Sequence, residues 1–242
     1  MKKETRIRNM KNSSLRDNED LPVLEYIDSI NNNQKITMLE VGSGECRFVK
    51  KIMNLYPNIN ITCIEINPDL AKIAKDIGCY VINKNILDVE LDSQYDIVHC
   101  SHVIEHFGFP EITKILDFLV HSVNLGGRLI IRSPLMWDGF FYDIDHIRPY
   151  PPEAISAYFN YSQQQIKGQG SIGFDTIWYR TSPRQLRYVS KQNIIYGIPF
   201  LRKPFNWFVR KINKQYKKWW EKYRWPASPP NGYVAIIKYN VV

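Results

Sequence analysis

The sequence predicts an α/β fold: a doubly wound, mostly parallel sheet with helices on both faces and an antiparallel last strand. Three observations lead there. Five strand-helix units follow one another between Ile36 and Ile131, the alternation that builds a parallel sheet. The first strand runs into a turn with two glycines and then a helix, the arrangement that holds nucleotide-like ligands at the carboxyl end of a sheet. Asn231-Gly232 then makes a turn before a final apolar run, Tyr233 to Tyr239, that can add one antiparallel strand.

The first unit carries the most information. Ile36 to Val41 read as a buried strand, and Glu45 to Tyr56 place Phe48, Ile52, Met53 and Tyr56 at helical spacing. Between them, Gly42 and Gly44 admit backbone conformations and close contacts that a β-carbon would block. Glu40 offers a carboxylate to a cationic amino group. A dinucleotide site fits less well, because its fingerprint needs a glycine where this chain has Arg47, and Glu40 would repel a pyrophosphate. An acid followed by two alternate glycines suits a zwitterionic amino acid ligand instead.

The second strand, Ile61 to Glu65, ends in an acid about twenty residues on, where a carboxylate can accept both hydroxyls of a ribose. Asn67-Pro68-Asp69 opens the next helix, with Leu70, Ile73, Ala74 and Ile77 on one face. The third strand, Tyr80 to Asn83, runs into Asn85, Ile86 and Asp88. The fourth begins at Tyr95 and ends in polar groups from His99 to His106, and the fifth is Arg128 to Ile131.

This ordered set resembles the class I S-adenosylmethionine-dependent methyltransferases, over roughly Ile36 to Pro152. One departure is Cys46, where many members have a third glycine. The resemblance implies a Rossmann-like sheet of seven strands and S-adenosylmethionine as cofactor. It places Glu40 near the methionine end, Gly42 and Gly44 against the cofactor, Glu65 on the ribose with Ile66 beside it, Asn85 at the adenine amino group, Ile86 on the ring, and Ser101 at the end of the fourth strand. Val103-Ile104-Glu105-His106 resembles a segment of small-molecule and lipid methyltransferases that borders the methyl group.

Asp143-Ile144-Asp145-His146-Ile147-Arg148-Pro149 follows the fifth strand and should project from the same edge as Glu105 and His106, so the two segments can face one another across a substrate. A hydroxyl acceptor needs a base, and an imidazole such as His146 is the candidate, with Asp143 or Asp145 to orient it. Arg148 suits an anionic substrate group. The alternative, that Asp145, His146 and Arg148 tie down a proline-rich loop, stays open, and His102 and His121 are read as structural. The pattern also resembles one in members associated with cell-surface carbohydrate modification, which makes a small-molecule or lipid-linked glycan the expected acceptor.

No apolar run approaches the ~18 residues of a membrane span, and Met1 to Arg6 lack a signal-peptide core. The expected location is cytoplasmic, with peripheral contact at the inner membrane surface. Cys46, Cys63, Cys79 and Cys100 show no C-x-x-C spacing, so a reduced protein without a metal site is expected. Residues 1–20 read as a mobile tail and 21–242 as one domain, with 159–224 a substrate-side insertion. Within it Trp178, Tyr179 and Arg180 can stack on a sugar or a base, although core burial competes.

Net charge is +8, and all of it lies in 201–225, where nine Lys or Arg face one acid, Glu221; the remainder has 23 of each sign. Phe205, Phe208, Ile212, Tyr216, Trp219 and Tyr223 recur at helical steps there. An amphipathic helix with a cationic face can lie on an anionic membrane or close over the site as a lid. Both readings rank above nucleic-acid binding, because a stripe of bulky aromatics is better at burying than at stacking on bases.

Overall fold

In the computed structural model, which describes residues 15–32, 34–161, 165–181, 186, 202–223, 225 and 227–240, the chain forms two units. The first holds residues up to Arg180 together with Gly232–Val242; the second is Thr181–Asn231.

The first unit runs α1 (Leu15–Ile30), β1 (Ile36–Val41), α2 (Arg47–Leu55), β2 (Ile59–Ile64), α3 (Pro68–Asp76), β3 (Tyr80–Ile82), β4 (Tyr95–Ser101), α4 (Glu111–His121), β5 (Val123–Pro134), α5 (Pro152–Asn160), β6 (Ser171–Arg180) and β7 (Gly232–Asn240). One seven-stranded sheet results, in the order β3-β2-β1-β4-β5-β7-β6. The pairs from β3 to β5 are parallel, whereas β7 runs antiparallel between β5 and β6. This is the seven-stranded, mostly parallel architecture that the sequence predicts.

Strands buried on both faces need apolar residues at consecutive positions, and β1 and β4 have them. Leu39, Val41, Val98, Cys100, Leu129 and Ile131 face one layer with Ile112, Ile115, Leu116 and Leu119 of α4 and Ile155 and Phe159 of α5. Met38, Cys63, Ile97 and Ile130 face the other, with Val23, Leu24 and Ile27 of α1, Val49 and Ile52 of α2, and Ala74 of α3. The order reverses beside β1 and β4, so the carboxyl ends of these two strands open on the crevice where such sheets bind ligands.

The sequence reading set a mobile tail as far as Asp20, but residues 15–20 are the first turns of α1. Their anchors are ionic. Asp20 is buried and its carboxylate meets Arg132 of β5 and Lys51 of α2, each at 2.5 Å. Glu19 is buried beside it and meets Arg180 of β6 at 2.5 Å. Residues 1–14 lie outside the described residues.

The insertion expected over 159–224 also has narrower bounds. Part of that range is sheet: β6 pairs with β7 from Ser171 to Arg180. Trp178 packs against the core layer of α1 and α2, the Tyr179 hydroxyl donates to Glu153, and Arg180 holds Glu19. These three side chains serve the fold.

The second unit contains α6 (Arg202–Tyr223). Its buried residues are Val209 and Trp220, with Ile212, Asn213 and Tyr216 half-buried on the same stripe, one step round from the stripe the aromatic spacing suggests. Asn213 makes a two-way bridge to the backbone of Leu186, at 2.7 and 3.0 Å. Phe205, Trp207, Phe208, Trp219, Tyr223 and Trp225 are exposed together with the lysines. Lys211 lies over the Trp207 ring at 3.9 Å. Leu201 and Arg224 lie outside the described residues. Among the described residues, no helix is long and apolar enough to cross a membrane.

Removing one partner of a buried ion pair strands the other charge. Asp20→Ala should therefore lower unfolding stability by about 3–5 kcal/mol, against less than ~0.5 kcal/mol for the exposed neighbour substitution Glu25→Ala, measured by urea denaturation.

Candidate functional site

Two groups of side chains meet at the carboxyl edge of the sheet: one around the glycine turn after β1, the other around the segment after β4.

In the turn, Gly42 has φ +73° and Gly44 φ +50°, both left-handed. A β-carbon on Gly42 would come within 2.5 Å of Val103 Cγ2, whereas one on Gly44 would meet nothing within 4 Å. The turn is thus packed on its inner side and open on its outer side. Cys46, just before α2, also has positive φ, +58°. It adopts the conformation a glycine would take, which explains in physical terms why a glycine suits this position.

Glu65 follows β2, is buried, and points back at the turn. Its Oε2 accepts the Gly44 N–H at 2.9 Å and the Ser43 hydroxyl at 3.5 Å, and its Oε1 accepts the Asn67 N–H at 3.0 Å. Asn83 secures the segment by donating to the carbonyls of Glu65 and Ile66. The Ile66 side chain stands 64% exposed at the lip. Asn85 caps the short 3-10 turn Ile86–Asp88, its Oδ1 accepting the Leu87 N–H at 3.0 Å, and Ile86 packs in the core below. An open glycine turn, a buried carboxylate aimed at it and an exposed apolar lip fit a ligand with a ribose and a flat ring.

Glu40 is placed differently from the expectation of a free carboxylate. Its Oε2 is bonded to Nδ1 of His99 at 2.7 Å, both side chains being buried. Burial pushes His99 below the ordinary imidazole pKa despite Glu40, so a neutral ring donates its Nδ1–H to the carboxylate. Phe48 of α2 stacks on His99, with ring centroids 4.6 Å apart, and Arg132 lies over the Phe48 ring at 4.2 Å. Sequence reasoning missed this polar layer. Its only local signals are a histidine and an arginine interrupting the apolar runs of β4 and β5.

The second group begins at Glu105, in the 3-10 turn Ile104–His106, whose side chain has no solvent exposure. Oε1 lies 3.2 Å from His102 Nδ1, and Oε2 accepts the Ser133 hydroxyl at 3.2 Å. His102 Nε2 lies 3.6 Å from Glu19. Burial alone would pull the His102 pKa down; the two carboxylates outweigh it and hold the pKa at about 9. His102, read from sequence as structural, is thus a cation between Glu105 and Glu19.

The Glu105 carbonyl accepts the N–H groups of Ile147, at 2.9 Å, and Arg148, at 3.4 Å. That docking brings His146 beside Glu105 and His106, with the two imidazole centroids 4.9 Å apart. The segments expected to face one another across a substrate therefore form one cluster. His146 Nδ1 is 2.7 Å from the Phe140 carbonyl, which can only accept, so Nδ1 carries a proton, and in the neutral ring Nε2 holds the lone pair. Asp143 Oδ2 lies 3.8 Å from that Nε2, and Asp145 Oδ2 lies 3.4 Å from His106 Nδ1. Arg148 is exposed, its guanidinium over the Tyr150 ring at 5.2 Å. Ser101, half-buried, ends β4 between the two groups. Around the cluster Phe109, Met136, Phe141, Tyr142, Ile144 and Ile147 are all more than half exposed.

A family model described as a methyltransferase domain matches residues 39–129, the stretch from β1 into β5 that carries the glycine turn, Glu65, Asn85 and, of the second group, His102, Glu105 and His106. The chain thus carries a methyltransferase domain over residues 39–129. Solved structures share its fold at low identity. A SAM-dependent methyltransferase from Archaeoglobus fulgidus is 17% identical, over 99% of this chain and 100% of that one, with TM-score 0.58. The N-methyltransferase NodS from Bradyrhizobium japonicum, in complex with S-adenosylhomocysteine, is 12% identical over 98% and 97%, with TM-score 0.57. An O-methyltransferase from a polyketide synthase of Brevibacillus brevis, also with S-adenosylhomocysteine, is 16% identical over 88% and 69%, with TM-score 0.52. Comparison with curated proteins finds no match.

The ionic contacts of α1 make the methyltransferase sensitive to acid. Burial would raise the Glu19 pKa, but His102 and Arg180 outweigh it and hold it below its ordinary 4.5. A depressed folded pKa contributes stability above the unfolded value and loses it as pH falls through the folded one. Melting temperature should drop more steeply below pH ~4.5 in the wild type than in Glu19→Gln; parallel curves would remove Glu19 from the acid limb.

Proposed function

We propose that this methyltransferase methylates a hydroxyl oxygen of a small-molecule or lipid-linked carbohydrate acceptor of cell-surface glycan assembly. When bound, S-adenosylmethionine supplies an electrophilic methyl group on a sulfonium sulfur. The residues that would hold it are Gly42 and Gly44 along its chain, Glu65 at the ribose hydroxyls, Ile66 and Ile86 at the faces of the adenine, and Asn85 at its amino group. Glu40 would meet the amino group through Oε1, since Oε2 is bonded to His99. Ser101 would border the reacting end.

The observation that carries the acceptor reading is the tautomer of His146. A lone pair at Nε2, held by the bond from Nδ1 to Phe140, can receive the proton of an acceptor hydroxyl. Asp143 can stabilise the resulting imidazolium from 3.8 Å. Glu105 and His106 would hold the acceptor beside it, and exposed Arg148 would meet a phosphate or carboxylate on it. The exposed apolar side chains from Phe109 to Ile147 suit an acceptor with an aliphatic part or the apolar face of a sugar.

The second unit supports peripheral attachment to an anionic membrane. On α6, Phe205, Trp207, Phe208, Trp219 and Tyr223 stand in solvent among lysines, a composition suited to the headgroup region. Binding to vesicles with and without phosphatidylserine tests the attachment.

Glu65→Gln should weaken S-adenosylhomocysteine binding by about tenfold through loss of charge-assisted hydrogen bonds, measured by calorimetry; an unchanged Kd would remove Glu65 from the cofactor site. His146→Ala should leave that Kd unchanged and lower kcat by about 10²–10⁴-fold. The acceptor class is tested by incubating the protein with methyl-labelled S-adenosylmethionine and cell lysate, then separating lipid, glycan, metabolite and nucleic-acid fractions. Label in the first three supports the proposal, and label only in nuclease-sensitive material contradicts it.

A further inference from the structure

We propose that Glu105, His106 and His146 form a binding site for one divalent first-row transition-metal ion. The sequence predicts no metal site on the ground that its cysteines lack C-x-x-C spacing, and His146 lies forty positions beyond His106, so no local spacing marks this set. The fold removes that separation: one candidate ligand atom from each of the three lies within 4.8 Å of the others. Ligands around one ion at ~2.0–2.2 Å sit closer together than this, so the histidines need move by about an ångström.

The state of each ligand argues further. Metal-bound imidazoles donate their other ring N–H to an oxygen, which fixes the tautomer and leaves the second nitrogen for the ion. Both histidines have that arrangement. His146 Nδ1 donates to the Phe140 carbonyl at 2.7 Å. His106 Nδ1 faces two Asp145 oxygens, the carbonyl at 3.3 Å and Oδ2 at 3.4 Å, and both only accept. In each ring Nε2 is therefore the free lone pair. The carboxylate of the set, Glu105, is fully buried and positioned by His102 and Ser133. The histidine side chains are 27% and 14% exposed, which gives an ion an approach from solvent and leaves room for an exchangeable ligand. Asp143, near His146 Nε2, is a fourth oxygen donor within reach of a side-chain rotation.

Two imidazoles and one carboxylate are borderline ligands that suit Zn²⁺, Fe²⁺, Co²⁺ or Ni²⁺ and do not suit Mg²⁺, which prefers oxygen and water. The inference rests on the O-methylation reading for its use: an ion here would coordinate the acceptor oxygen and lower the pKa of its hydroxyl. Ion and proton then compete for the same lone pair of His146, and the acceptor's proton leaves to Asp143 or to water.

The test is binding, independent of turnover. Chelator-stripped protein is titrated with Co²⁺ by visible absorption and with Zn²⁺ by calorimetry, with Mg²⁺ as competitor, and S-adenosylhomocysteine affinity is measured on the same samples. The expected result is one equivalent of Co²⁺ displaced by Zn²⁺ but not by Mg²⁺. His106→Ala and His146→Ala should each weaken it by ~100-fold, at least the loss typical of disturbing an outer-shell partner, with melting temperature and S-adenosylhomocysteine affinity retained. Absence of Co²⁺ and Zn²⁺ binding, or affinity unchanged in both variants, would overturn the site. Co²⁺ binding lost in both variants but without any S-adenosylhomocysteine binding would support the metal site and sink the cofactor assignment.

Discussion

A carboxylate without solvent exposure must be compensated by its neighbours, and the way Glu105 is compensated arranges the edge of the sheet that carries the histidine cluster. His102 and Ser133 satisfy its two oxygens, and Glu19 shares the His102 charge from α1. Its backbone carbonyl, meanwhile, receives the loop that carries His146. One residue thus ties together a strand end, the first helix and the loop after the fifth strand. Replacing it would disturb the fold and the histidine cluster together.

The edge around the glycine turn has a parallel organisation. Glu65 is held by backbone N–H groups from the glycine turn and from the start of α3, and Asn83 pins the same segment from the next strand. The carboxylate is oriented before any ligand arrives, so little ordering cost falls on binding. Glu40 is bound by His99 in a similar way. Between the two edges runs a layer of buried charge, Asp20 with Arg132 and Lys51 and Glu19 with Arg180, which holds α1 across the sheet.

What was legible in the sequence depended on range. The parallel strands, the glycine turn and Glu65 are encoded within short windows, by apolar runs, alternate glycines and an acid at a fixed distance. Cys46 was noted as a departure, and its positive φ shows what the position demands. The ionic layer was illegible, because Glu40 and His99 are 59 residues apart and Asp20 and Arg132 are 112 apart; nothing local says which charges will meet. The histidine cluster was half legible: its members were picked out, but as residues across a substrate from each other. The aromatic repeat in α6 suggested a buried stripe, whereas Val209 and Trp220 define the buried side and most of the aromatics stay in solvent. Periodicity there identified the helix and misjudged its orientation, since aromatic spacing does not separate a core face from an exposed one.

Amide hydrogen exchange with and without S-adenosylhomocysteine tests most directly whether the glycine turn and the two strand-end acids form the cofactor site. Added protection is expected at residues 42–46, 65–67 and 85–87, with little change along β6 and β7. Protection confined to other segments, or none at saturating ligand, would contradict that assignment.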